Sequence, residues 1–210
     1  MADETFDASQ TISAFLEATA ARQPAPGGGS VTALVGALAS AIGEMVLAYS
    51  VGKKELAAHE PELKRAIDEL RRARAVMLEL MVEDQSAFKA LTAARKVAKD
   101  AGDRDPAFAA ALLGCIRVPQ AIGTTAGAIL DLCGQLVPMV NAFLLSDLAV
   151  SAELAMATVR CAAYNVRVNL SDVSDPAEQD RFVNTTNAMV WRATARIQQV
   201  IPAIWTRQHG

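Results

Sequence analysis

Residues 24–54 read PAPGGGSVTALVGALASAIGEMVLAYSVGKK. Pro24 and Pro26 stiffen the approach, and three glycines in a row strip the backbone of side chains. Ser30 is placed to cap a helix over about 30–50. Small residues recur in that helix at 29/33/37/41 and at 32/36/40, and rows four apart share a helical face. Another backbone can therefore pack very closely there. Two readings of the glycine entrance stand side by side. It is a tight turn before a core helix, or a helix mouth whose exposed amides meet an anion or a carbonyl oxygen.

The rest of the chain is helical by the same kind of reading. Its 210 residues are 52% apolar and only 5% aromatic. A core built from Ala, Leu, Val and Ile favours helices over sheets. Residues 8–22 place Ile12, Phe15, Leu16 and Thr19 at helical spacing. After Gly52, a long charged helix is expected over roughly 59–100, with the Arg71-Arg72-Ala73-Arg74 cluster on a solvated face and Asp84 near its apolar side. Residues 102–106 form the clearest loop. A helix from 106 to about 135 is expected to be disturbed at Pro119, and Pro138 starts another break. Helices follow over about 145–170, with Ser146 or Asp147 near the start, and from Asp175 and Pro176 onward, with Pro202 disturbing the end. No strand-like alternation and no repeat is evident. The expectation is an all-α, up-and-down bundle of five to seven helices, in one domain over 1–210.

Bulk properties remove several function classes. A net charge of −3 without a basic run argues against a nucleic-acid partner. Residues 27–52 and 118–146 imitate membrane spans, but Glu44 and Asp131 interrupt them, and buried helices of a soluble oligomer explain the same composition. Cys115, Cys133 and Cys161 sit apart in apolar segments, as buried free thiols of a reducing compartment would. His59 and His209 are remote from each other, so no metal site is expected. The acidic N-terminus lacks a hydrophobic signal core. A cytoplasmic protein without membrane contact is expected.

Candidate chemistry gathers on the helix at 145–170. Asp147, Ser151, Thr158, Asn165 and Asn169 fall within about 40° of one direction, with Asp147 and Asn165 about 27 Å apart along the axis. Glu153, Arg160 and Arg167 occupy the other side. The polar strip is expected to face inward, where its groups need partners. Such a strip is either a structural network or a site for an elongated ligand or a subunit interface. Asp84 and Asp147 are the candidate proton-transfer groups. Lys53 and Lys54 follow a helix C-terminus, where cations are favoured in any case.

The ordered motifs Pro24-Ala25-Pro26-Gly27-Gly28-Gly29-Ser30, Gly52-Lys53-Lys54, Glu83-Asp84-Gln85-Ser86-Ala87-Phe88, Ser146-Asp147-Leu148-Ala149-Val150 and Asn165-Val166-Arg167-Val168-Asn169 resemble the cyclodeaminase/cyclohydrolase family. That family comprises the cyclodeaminase domain of formiminotransferase-cyclodeaminase and stand-alone methenyltetrahydrofolate cyclohydrolases. The resemblance implies an all-helical homodimer, sites near the subunit interface, and a tetrahydrofolate substrate without metal or redox cofactor. It implies catalytic roles for Asp84, Asp147 and Lys53. Substrate contacts are implied for Gly27, Gly28, Gly29, Ser30, Lys54, Asn141, Asn165 and Asn169.

The reaction expected first is hydrolysis of 5,10-methenyltetrahydrofolate to 10-formyltetrahydrofolate, because no formiminotransferase domain accompanies the chain. Formimidoyltetrahydrofolate cyclodeamination with release of ammonia is the alternative. The sequence departs from the family pattern at Ala48 and Phe143, where Asn is common, and at Glu55 and Leu56, where the pattern continues Lys-Tyr. Arg95-Lys96-Val97 stands where Leu-Pro-Lys is usual. These departures give a third reading, a non-catalytic folate-binding or structural helical dimer.

Overall fold

The computed structural model describes residues 5–98 and 105–209. Among them are six α-helices and no strand: α1 (Ile12–Ala20), α2 (Gly28–Ala48), α3 (Glu60–Ala98), α4 (Pro106–Leu136), α5 (Leu145–Arg167) and α6 (Pro176–His209). Short 3-10 turns at Lys54–His59, Ala142–Leu144 and Leu170–Asp172 join them. Of the loop expected at 102–106, residues 102–104 lie outside the described residues. Helix α2 packs between α3 and α5, α4 packs against α3 and α5, and α6 covers α4 and α5. This is the expected all-α, up-and-down bundle.

The small-residue rows of α2 explain its central place. A Cβ on Gly36 would come within 2.6 Å of Met77 Cε, and one on Gly43 within 2.9 Å of Leu70 Cδ1. Helix α3 therefore lies as close to α2 as glycine allows. In Gly36→Ala, the Met77 side chain must repack at a cost of about 1–3 kcal/mol, offset by up to about 1 kcal/mol of helix propensity. Net destabilisation of about 0–2 kcal/mol is the expected result of urea unfolding.

Polar groups in and just after α2 are answered within the chain. Ser40 Oγ donates to Gly36 O, and Ser50 Oγ to Val46 O at 2.7 Å. Glu44, in the middle of α2, accepts from Arg74 Nε at 2.7 Å and lies 3.6 Å from Arg71. Part of the arginine cluster thus pairs with a helix carboxylate instead of forming only a solvated face. Arg207 from α6 donates to the carbonyls of Val137 and Val140, answering orphan carbonyls past the end of α4.

Several expectations are corrected. Helix α2 begins at Gly28, and Gly27 occupies the cap position without a side-chain bond, so Ser30 lies inside the helix and does not cap it. In α1 the buried side is Phe15 and Ala18; Ile12 and Leu16 are exposed. Helix α4 runs on through Pro119, and α6 runs on through Pro202 to His209. Cys161 is exposed, unlike Cys115 and Cys133. The 118–146 stretch is not one span, because α4 ends at Leu136. Among the described residues, three segments, Gly28–Ala48, Pro106–Leu136 and Ala142–Asp172, are long and apolar enough to cross a membrane by length and composition.

The core has two parts. The larger includes Ala33, Leu47, Leu63, Met77, Ile122, Leu130, Leu148 and Val159. A smaller cluster of Leu91, Phe108, Leu112, Cys115, Ile116, Val166, Leu170 and Val173 fills one end. Helix α3, at 39 residues and so about 58 Å, is long enough to serve both.

Candidate functional site

At the junction of the two clusters lies a cavity of about 260 Å³, walled by the residue 24–29 turn, α3, α4 and the end of α5. The start of α2 places Gly27, Gly28 and Gly29 on its rim, with Asp84 and Phe88 from α3, Cys115 and Pro119 from α4, and Asn165 and Asn169 facing them.

Asp84 is the centre of this arrangement. Its Oδ2 accepts from Ser30 Oγ at 2.9 Å, and the Ser30 amide also bonds the carboxylate. A carboxylate from a helix 54 residues away thus answers an N-terminal amide of α2 that no local side chain caps. The approach is so close that a Cβ on Gly29 would stand 1.8 Å from Asp84 Oδ1. Glycine is required there by space. Burial pushes the Asp84 carboxyl above its ordinary value of 3.8, against the opposing pull of the Ser30 bonds. Desolvation wins, and the group is moved toward the range useful for exchanging protons.

The asparagines are fixed by neighbouring helices. Asn165 Nδ2 donates to Thr32 Oγ1 at 3.3 Å, which leaves its Oδ1 beside Gly28. Asn169 Nδ2 donates to Cys115 O and to Asn165 O. The Cys115 thiol is pushed up to about 11, first by burial and then by Asp84, which keeps it protonated near neutrality. Among the described residues, no group of three or more His, Cys, Asp or Glu gathers as a metal would require.

The expected site residues divide into two groups. Gly27, Gly28, Gly29, Ser30, Asp84, Asn165 and Asn169 come together around the cavity. Lys53, Lys54, Asn141 and Asp147 do not. Contacts of Thr32 with Asn165 and of Ala39 with Ser151 show that α2 and α5 run antiparallel. The start of α5 therefore lies by the end of α2, where the Asn141 amide bonds Ser50 Oγ at 2.9 Å. Asn141 Oδ1 accepts from the Phe143 amide, and Lys53 Nζ lies 3.9 Å from Glu55. Eighteen residues of helix, about 27 Å, separate Asp147 from Asn165. The middle of the polar strip is structural: Ser151 Oγ donates to Ala39 O, and Thr158 Oγ1 to Leu154 O.

Sequence reasoning missed Arg95, Pro119, Cys115 and Val168 in the cavity wall. Arg95 carried a readable signal, because it lies 11 residues after Asp84 and so on the same face of α3. Gln85 also lines the cavity, fully buried, and exchanges two hydrogen bonds with the Phe6 backbone, tying the N-terminal segment to α3.

The described residues form an all-α bundle with a small glycine-mouthed cavity around one desolvated carboxylate. The formiminotransferase-cyclodeaminase family model matches residues 11–188, and the chain belongs to that family. It is 27% identical to a methenyltetrahydrofolate cyclohydrolase of Methylorubrum extorquens, over 93% of this chain and 96% of that one. It is 29% identical to the rat formimidoyltransferase-cyclodeaminase, over 94% of this chain but only 37% of that protein. The chain thus spans little more than a third of that relative. The crystal structure of a formiminotetrahydrofolate cyclodeaminase from Thermotoga maritima superposes with a TM-score of 0.87 at 26% identity, over 94% of this chain and 96% of that one.

Proposed function

We propose that this protein hydrolyses 5,10-methenyltetrahydrofolate to 10-formyltetrahydrofolate. The observation that carries the reading is the desolvated Asp84 carboxylate at a glycine helix mouth, flanked by Asn165 and Asn169. The near full-length similarity to a methenyltetrahydrofolate cyclohydrolase supports the choice of reaction.

Asp84 removes a proton from water as its oxygen bonds to the methenyl carbon. The same carboxyl returns that proton to N5 as the carbon–N5 bond breaks. The added hydroxyl releases its own proton to solvent, which leaves a formyl group on N10. The amides at the start of α2 receive the negative charge that gathers on that oxygen. Asn165 and Asn169 orient the pterin. The hydrolysis takes up no electrons, and this mechanism uses neither a metal nor a redox cofactor. The proposed place of action is the cytoplasm.

Lys53, Lys54, Asn141 and Asp147 enter this reading through a homodimer. Helix α2 and its C-terminal cap expose Leu38, Met45 and Tyr49, and α5 and its C-terminal cap expose Val150, Tyr164 and Val168. These helices pack side by side, so their outer faces offer one apolar surface of the kind that subunits bury. A two-fold axis running across the helices would bring the Lys53 end of one protomer to the Asp84 end of the other. Light scattering is expected to show a dimer. Mixing a Lys53→Ala/Lys54→Ala variant with an Asp84→Asn variant, under subunit exchange, is expected to restore roughly a quarter of wild-type sites. Two inactive variants that stay inactive together would refute the shared site.

The test of the reaction is loss of methenyltetrahydrofolate absorbance faster than its spontaneous hydrolysis. Cyclodeamination is the second reading, favoured by the close superposition on the Thermotoga maritima cyclodeaminase, and ammonia release from the formimino compound would establish it. Folate binding without either reaction would leave a non-catalytic folate-binding dimer.

A further inference from the structure

The cavity wall carries two formal charges among its described residues, Asp84 and Arg95. They stand on the same face of α3, 11 residues or about 16 Å apart along the axis, with Phe88 between them. The cavity is therefore polarised along its length. It has a desolvated carboxylate at the glycine mouth, an aromatic ring in the middle, and a guanidinium at the far end.

We infer that Arg95 binds the carboxylate end of an elongated substrate and so determines its specificity. With the folate reading, on which this inference rests, the bound group is the terminal glutamate of the substrate. The cationic methenyl centre lies at Asp84, and the aromatic linker passes Phe88. A reversed orientation would set the methenyl cation against Arg95 and the glutamate carboxylates against Asp84, which charge disfavours at both ends.

Arg95 is held ready for this role. Its Nη2 donates to Asp172 Oδ2 at 2.5 Å, while the side chain stays half exposed. A guanidinium carries five N–H donors in a planar fork suited to carboxylates, so one bond to Asp172 leaves capacity for a second anion. Asp172 sits in the turn that follows α5, just past Asn169. The ion pair thus joins the anion-binding end to the turn after the pterin-orienting asparagines. The assignment gives the tail to Arg95 on the cavity's own wall, and frees Lys53 and Lys54 for other contacts.

The test compares 5,10-methenyltetrahydrofolate with the same compound lacking glutamate, using wild type, Arg95→Gln and Arg95→Lys. In wild type the glutamate-bearing substrate is expected to show the lower KM by about 10–100-fold, the worth of a charge-assisted hydrogen bond. Arg95→Gln is expected to erase that preference by raising KM for the glutamate-bearing substrate, with kcat held within a few-fold. Arg95→Lys is expected to restore part of it. An unchanged preference in Arg95→Gln, or an equal loss with both substrates, would overturn the inference. Circular dichroism checks the fold of each variant. If wild type turns over neither compound, the hydrolysis reading fails by itself. The tail site is then decided by calorimetric binding of 5-formyltetrahydrofolate and its glutamate-free counterpart. An Arg95-dependent difference between those two supports the site, and its absence overturns it.

Discussion

Asp84→Asn is expected to lower kcat by about 10²–10⁴-fold without loss of fold. The amide keeps an oxygen to accept the Ser30 bonds but cannot take a proton from water. The pH dependence follows from the raised carboxyl pKa. A base must be ionised to act, so the rate of the wild-type enzyme should climb as pH rises through that raised value, which burial sets above the ordinary 3.8. Stability should move the opposite way. The folded state holds the Asp84 proton more tightly than the unfolded chain does, so stability falls as pH rises from 3.8 through the folded pKa. Above that point the ionised carboxylate is a standing cost, and Asp84→Asn removes it. The variant should be at least as stable as wild type at neutral pH, with the difference closing in acid. Thermal unfolding at pH 4 and pH 7, beside a rate profile, measures both. Wild-type turnover in Asp84→Asn would remove this residue as the base and leave Asp147 as the candidate.

Gly29→Ala is expected to lose at least 100-fold in activity and about 1–3 kcal/mol in stability. The added Cβ would meet all three atoms of the Asp84 carboxyl, at 1.8, 2.3 and 2.7 Å. No small adjustment relieves a clash of that size, so either α2 shifts or Asp84 leaves its place. Gly36→Ala is the matched control on the same helix. There the obstacle is the flexible end of Met77, remote from the cavity, and activity should survive. Equal activity losses in both variants would show that general loosening of α2, and not the Gly29 contact with Asp84, carries the effect.

The bundle is legible in the sequence because helical periodicity and small-residue rows are local properties. What misleads comes from partners distant in the chain. Ser30 looks like a cap because nothing nearby competes for its hydroxyl, yet Asp84 arrives from α3 and takes it. Arg74 looks solvated because Glu44 lies 30 residues away on another helix. The length of the polar strip on α5, about 27 Å, follows from spacing alone. What spacing on one helix does not give is the antiparallel course of α2, which places the end of α2 by the start of α5 and the glycines beside Asn165. Arg95 is within reach of the same wheel arithmetic that places Asp84 and Phe88 together. Its charge assigns it to the solvated face instead.

The division of the core into a large cluster and a terminal one has a consequence for amide exchange. Apolar burial in the terminal cluster is small, so its helices should open as a unit below the free energy of global unfolding. Cys115 and Asn169 bind the cavity to that cluster, while the start of α2 belongs to the larger one. A molecule seated between them has to stop the two from opening separately. Slowed exchange of amides in residues 106–118 and 162–173 on ligand binding, with amides in residues 60–75 little changed, would make occupancy of the cavity the act that fuses two cooperative units into one.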